Sequence, residues 1–187
     1  GSVNLDGEKL VIRNPRDAIN AGICLLTEDR KQQGLVLGMG VTENFGLPNM
    51  RSFAPWGWIS QLRERRAMDG HIDRLQVKIS TRHQQAQTLS GGNQQKVVLA
   101  KWLERNAEVI IFDEPTRGID VGAKYEIYQL LNHLADQGKA ILMITSELPE
   151  ALGMADRILV MREGRINGEI RAVATATQEQ IMEMAVE

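Results

Sequence analysis

Two clusters in this sequence combine residues able to do chemistry with a backbone able to present them. The first is Leu89-Ser90-Gly91-Gly92-Asn93-Gln94-Gln95-Lys96, a serine and a glycine pair ahead of a helix-forming run. The first N–H groups of a helix lack intrahelical acceptors and carry positive potential, so a hydroxyl beside them completes a place for an anion. Glycine lets a polyphosphate approach the main chain without meeting a Cβ. The same types also suit an ordinary serine N-cap with a flexible turn. The second cluster is Val109-Ile110-Ile111-Phe112-Asp113-Glu114-Pro115, an apolar run that ends in acids. Acids at the C-terminal end of a buried parallel strand stand at the ligand edge of an open α/β sheet. There Asp113 can hold Mg²⁺, directly or through water, and Glu114 can polarise an attacking water. Solvated turn acids are the plainer reading of the same residues.

The elements that must position these clusters follow from periodicity and punctuation. Val3 to Leu5, Asp6-Gly7 and Leu10 to Ile12 read as a hairpin. Asn14-Pro15 opens a short helix that Gly22 stops. Ile23 to Thr27 reads as a buried strand, and Glu28 to Gly40 as a polar, glycine-rich loop. Gln61 to Val77 and Gln94 to Leu103 have helical spacing. Val109 to Phe112 and Ala140 to Thr145 read as fully buried strands around a helix over Ala123 to Gln137. A helix over Glu147 to Met154, a hairpin turning at Glu163-Gly164 and a helix over Gln178 to Val186 complete the chain. Alternating buried strands and helices argue for an α/β fold with a parallel core. Three regions are expected: the start of the core over 1–40, a helical subdomain over 41–105, and the rest of the core over 106–187.

Bulk properties narrow the partners. The chain has 187 residues, 43% hydrophobic and 25% charged, with a formal net charge of −2. That length buries a core without metals or disulfides, and the near-neutral charge gives no footprint for nucleic acid. The single cysteine, Cys24, lies in an apolar run and is expected to pack in the core. No run of about 18 apolar residues is present to span a membrane, and no signal-peptide pattern begins the chain. The tryptophans of the Pro55-Trp56-Gly57-Trp58 loop are expected to pack against neighbouring helices. Arg63, Arg65 and Arg66 are expected on a solvated helix face.

Taken jointly, LSGGNQQK, the apolar run ending Asp113-Glu114-Pro115-Thr116 and the following Gly118-Ile119-Asp120 resemble the ATP-binding cassette (ABC) family, over essentially the whole chain. They match its signature motif, Walker B strand and D-loop. Glu28-Asp29-Arg30-Lys31 followed by Gly34-Leu35, the form LSGGNQQK, the run Asp113 to Lys124 and Ser146-Glu147-Leu148-Pro149-Glu150 look like one subfamily. That subfamily is the monosaccharide importers for ribose, galactose, xylose and arabinose, whose ATPase subunit carries two cassettes. This chain is similar to the second cassette, in wording closest to the ribose type.

The resemblance implies an ABC-type P-loop NTPase fold with a helical subdomain, and it makes three departures informative. No G-x-x-x-x-G-K-[ST] occurs; the only Gly-Lys pair, Gly138-Lys139, lacks the upstream glycine. The part of the cassette carrying Walker A is therefore expected to lie outside this sequence. Ser146 stands where the family places a histidine, and Glu28 where it places the Q-loop glutamine. By resemblance, cassettes pair head-to-tail. Ser90, Gly91 and Gly92, flanked by Asn93 and Gln94, would bind the terminal phosphate of an ATP held by the first cassette. Asp113 with Mg²⁺, Glu114, Asp120, Glu28 and Ser146 would belong to the opposite site, Asp113 holding its metal only with an intact P-loop. The implied partners are the first cassette of the same polypeptide, membrane-spanning permease subunits and, indirectly, a periplasmic sugar-binding protein. The implied place is the cytoplasmic face of a bacterial inner membrane. The fragment alone is expected neither to hydrolyse ATP nor to bind it tightly. A degenerate structural cassette and a non-transport ABC ATPase are the alternatives. A Rossmann-type protein fails for want of G-x-G-x-x-G after an early strand.

Overall fold

The computed structural model describes residues 1–54 and 57–186, and the chain divides into compact units, Gly1–Ile144 and Thr145–Glu187. The first unit opens with a hairpin of β1 (Val3–Leu5) and β2 (Glu8–Leu10). Asp6 and Gly7 both take positive φ, as a two-residue type I′ turn requires. That turn fixes the register Leu5↔Glu8 to Val3↔Leu10, so β1 is exhausted before Val11 and Ile12 can pair. The second strand therefore lies earlier than the expected Leu10–Ile12, and Val11 and Ile12 are exposed. Helix α1 (Pro15–Asn20) starts at a capping box between Asn14 and Asp17, with Pro15 in its first turn.

The core sheet contains β3 (Ile23–Leu26), β4 (Val109–Asp113) and β5 (Ala140–Ile144), all parallel, with β4 central. Cys24, Leu26, Ile110 and Phe112 point to the buried face, and burial pushes the Cys24 thiol up to about 12. The opposite face departs from the expectation of fully buried strands. Leu25, Leu142 and Ile144 remain 46%, 50% and 48% exposed there. That face is therefore only about half covered, whereas a parallel sheet is most stable with both faces covered.

Between β3 and β4 lies the helical stretch. The expected loop after β3 contains one π-helical turn, Arg30–Gly34, capped by the Asp29 side chain. Helices α2 (Val41–Gly46), α3 (Met50–Phe53), α4 (Gln61–Leu75) and α5 (Gly91–Leu103) follow. They enclose Val41, Phe45, Phe53, Met68, Leu75, Val97 and Val98. Buried Asn44 and Asn49 answer main-chain carbonyls: Asn44 Nδ2 donates to Gly40 O, and Asn49 Nδ2 donates to Phe45 O and Lys101 O. Trp58 stands 86% exposed, contrary to the expected packing, while Pro55 and Trp56 lie outside the described residues. Trp102 is half-buried. Helix α6 (Val121–Asp136) leads to β5, capped by Asp120 at its start and closed by Gly138 at φ +83° after its end. No helix among the described residues is long and apolar enough to cross a membrane.

The second unit holds α7 (Leu148–Met154), the hairpin of β6 (Ile158–Arg162) and β7 (Arg165–Ile170), and α8 (Gln178–Val186). Glu163 and Gly164 form its positive-φ turn. Ile158, Val160, Ile170, Val173 and Ile181 are the core of this unit, with Leu148, Leu152 and Met184 packed against them.

Candidate functional site

Helix α5 begins one turn earlier than apolar periodicity suggests, because Ser90 is a working N-cap with extended φ/ψ (−61°, 157°). Ser90 Oγ accepts from Asn93 N at 3.5 Å and from Asn93 Nδ2 at 2.9 Å. The residue is exposed, so the anion-binding corner of the turn faces outward. Gln94 does not. It is 3% exposed, and its Nε2 donates 3.0 Å to Ala86 O, which turns the amide inward and away from a flanking role. Lys96 is buried on the same helix, paired to Glu126 at 2.8 Å and donating 3.2 Å to Gln76 O. Lys78 pairs with the same carboxylate at 3.7 Å, and Lys96 first and Lys78 second hold the Glu126 acid below its usual range.

The Ser90 turn is fastened to the loop that leaves β4. Arg30, 9% exposed, donates from Nη1 to Arg117 O at 3.1 Å and from Nη2 to Gly118 O at 3.5 Å. Its guanidinium passes directly over Gly91, where a Cβ would meet Nη2 at 2.6 Å and Gly118 O at 3.2 Å. Burial lowers the Arg30 pKa, and the Asp29 charge opposes that shift. A cavity of about 340 Å³ opens here, with Arg30, Lys31, Leu89, Gly91 and Gly118 in its wall. The sequence quotes Arg30 and Arg117 within its motifs without giving either a task. The signal available was an arginine in each motif, and it acquires meaning only when residues 87 positions apart meet.

The acids sit as the strand places them. Asp113 ends β4 half-buried, and Glu114 turns off it with φ +47° while its N–H donates 2.9 Å to Ile144 O. A non-glycine residue held in that region stores roughly 1 kcal/mol or more. Glu28 is exposed and ion-paired to Arg117, so the negative charge that replaces the expected glutamine is answered within the chain. Asp120 is exposed and spends one carboxylate oxygen on Ala123 N at 3.0 Å. Ser146 is exposed near the start of the second unit.

Among the described residues no group of three or more His, Cys, Asp or Glu could hold a metal ion. Asp113 therefore fits Mg²⁺ only as one ligand among phosphate oxygens, not as part of a protein cage. The Ser90 turn fits a phosphate better, since it offers an exposed hydroxyl, N-terminal N–H groups and nearby guanidinium charge. His71 rests on the Phe45 ring and meets Glu104 at 3.0 Å, which is a packing role; His83 and His133 are exposed.

Residues 1–117 match the family model described as ABC transporter. The chain is 51% identical over 185 residues to the "Ribose import ATP-binding protein RbsA" of Bacillus licheniformis, covering 99% of this chain and 37% of that protein. It is 52% identical to the protein of the same name from Bacillus subtilis, with the same coverage. It is also 52% identical over 188 residues to a "Putative ribose/galactose/methyl galactoside import ATP-binding protein 3" of Burkholderia ambifaria, covering 100% of this chain and 36% of the other. The chain thus spans little more than a third of the length of these relatives. Among solved structures it resembles the ATP-binding cassette MJ0796 in a dimeric state bound to ADP and Pi, with TM-score 0.73 and 22% identity over 91% of this chain and 72% of that one. The ADP conformation of the cassette MJ1267 gives TM-score 0.75 and 22% identity over 96% and 74%. The α/β architecture is that of an ABC ATPase cassette, and the chain belongs to the ABC transporter family.

Proposed function

We propose that this chain is the second nucleotide-binding cassette of a two-cassette ATPase subunit in a bacterial sugar importer, and that its strongest contribution is made in trans. Ser90 and the N–H groups of Gly91 and Gly92 grip the terminal phosphate of an ATP whose other phosphates are held by the first cassette, with Asn93 beside them. The observation that carries this reading is the outward-facing serine cap of a 13-residue helix, clamped by Arg30 to the loop that follows Asp113. The names of the relatives supply the substrate class, a simple sugar of the ribose or galactose kind. Their greater length leaves room for a further cassette.

In this reading ATP supplies the free energy, and Mg²⁺ neutralises phosphate charge during its hydrolysis. This chain orders donors around the γ-phosphate at one interface. At the other, Asp113 offers a carboxylate for Mg²⁺ and Glu114 positions water, while Glu28 replaces the group that would assist them. The partners are the first cassette, permease subunits at the cytoplasmic face of the inner membrane, and a periplasmic sugar-binding protein reached through them. The second reading, a degenerate cassette without turnover at its own site, is favoured by one observation: Glu28 is committed to Arg117.

Alone, the turn binds weakly. An exposed helix end contributes about 0.3–1 kcal/mol, against the ~4 kcal/mol that millimolar affinity requires. The test is ATP hydrolysis by the full-length subunit in its transport complex. Ser90→Ala should lower turnover at least ten-fold, while Glu114→Gln should lower it less. Unchanged turnover in Ser90→Ala, or micromolar ATP binding and hydrolysis by the 187-residue chain alone, would refute the reading.

A further inference from the structure

The amide of Asn93 is wired in a way that fixes what the Ser90 hydroxyl can do. Lys78 N donates 2.7 Å to Asn93 Oδ1, and Asn93 Nδ2 donates 2.9 Å to Ser90 Oγ. Reversing the amide would set its NH2 against the Lys78 N–H, donor against donor. The Lys78 contact therefore determines which end of Asn93 meets the serine. Asn93 N, at 3.5 Å, approaches the same Oγ. A hydroxyl has one proton and two lone pairs. With its acceptor side met by these donors, the Ser90 proton is left to be donated outward.

We propose that Asn93 is a positioning residue that presets Ser90 as a hydrogen-bond donor to phosphate, under the control of the turn that ends α4. That turn is held from the neighbouring level of α5 as well. Gln76 closes α4 in the left-handed region at φ 51°, and its carbonyl accepts from Lys96 Nζ at 3.2 Å. Asn93 and Lys96 are three apart and so share one face of α5. Displacing the 76–78 turn frees the Asn93 amide to rotate and releases the serine proton from its outward setting. The helical stretch thus acts on the phosphate site through a single amide.

The inference rests on Ser90 being a phosphate ligand, and the experiment separates the two. Asn93→Asp keeps an oxygen for Lys78 N and adds an acid to the first turn of a helix, which favours folding. It cannot donate to Ser90, so the serine donates to it instead and its proton is withdrawn from the phosphate. Asn93→Ala removes the constraint without adding charge. Both are made with Ser90 and with Ser90→Ala in the intact subunit within its transport complex, with thermal unfolding checked for each. With Ser90 present, Asn93→Asp should lower kcat by about ten-fold or more, the size of one hydrogen bond to a charged group. Asn93→Ala should lower it by a smaller factor. In the Ser90→Ala background neither change should have further effect. If both variants lower kcat equally with and without Ser90, they act by charge or by folding, and the inference falls while the phosphate reading stands. If Asn93→Asp leaves kcat unchanged although Ser90→Ala lowers it, the inference falls alone. If Ser90→Ala leaves turnover intact, the phosphate reading falls and this inference with it. Should Asn93→Asp fail to fold, the same comparison is made with Asn93→Ala.

Discussion

Gly91→Ala isolates the clamp that joins the Ser90 turn to the rest of the site. In the structure a Cβ at Gly91 would stand 2.6 Å from Arg30 Nη2 and 3.2 Å from Gly118 O. Reaching an ordinary contact of about 3.4 Å requires the guanidinium to retreat by about 0.8 Å, which stretches its 3.1 Å bond to Arg117 O beyond hydrogen-bond range. Losing one hydrogen bond from a charged donor costs about 1.5–3 kcal/mol. Alanine in place of glycine near a helix start returns up to about 1 kcal/mol. The net expectation is a destabilisation of about 1 kcal/mol, which for a chain of this size lowers the unfolding midpoint by roughly 2–4 °C. Thermal unfolding measures it, in the native chain and in an Arg30→Ala background. With Arg30 shortened, the alanine should become neutral or stabilising, because the clash is with that side chain. Equal destabilisation in both backgrounds would place the cost elsewhere, at the Gly118 carbonyl, and would refute the account of Arg30 as the clamp.

Other perturbations test the remaining energetics. Burial brings the Lys101 amine down to about 8, beside its hydrogen bond to Gly34 O. Below pH 8 the ammonium is charged in both folded and unfolded chains, so the desolvation penalty is fully present. As pH rises from 8 to 10.5 the folded chain releases its proton first and stability grows. Lys101→Met should therefore stabilise the chain most at pH 7, by at most about 3 kcal/mol, and the advantage should vanish near pH 10.5 in urea titrations. Glu126→Ala strands the buried Lys96 cation and should cost about 1–2 kcal/mol, less than a fully buried pair because Glu126 is half exposed. Lys96→Met should cost less, and the pair's contribution should persist above the ordinary carboxylate range and fade as pH falls through the lowered Glu126 value. The open sheet face of Leu25, Leu142 and Ile144 should bind an apolar dye such as ANS. Leu142→Thr should reduce the fluorescence without lowering the unfolding free energy by more than about 0.5 kcal/mol.

The sequence alone was enough for everything set by neighbours along the chain. Asp6-Gly7 and Glu163-Gly164 specify turns because φ > 0 is a local demand, and both appear as read. Ser90 could be read as a helix cap because a cap reaches only three residues ahead, and it is one. The pairing of LSGG with DEPTRGID identifies the family because both motifs are contiguous strings. Even the hairpin register was set locally, by the Asp6-Gly7 turn, which put β2 on Glu8–Leu10 rather than on the more apolar Leu10–Ile12. Tertiary structure decided what those strings touch. The resemblance placed Gln94 beside the phosphate turn, yet a helix rotates about 100° per residue, and that step carried it into the core. Continuous apolar runs promised strands buried on both faces, but burial depends on what lies above the sheet, and here one face is only about half buried. Arg30 reaches Arg117 and Gly118, Glu28 pairs with Arg117, and Lys78 orients Asn93 only because the chain folds back on itself. A string of residues fixes local dihedrals and patterns; which charged or amide group finds which carbonyl across the fold is a property of three-dimensional packing.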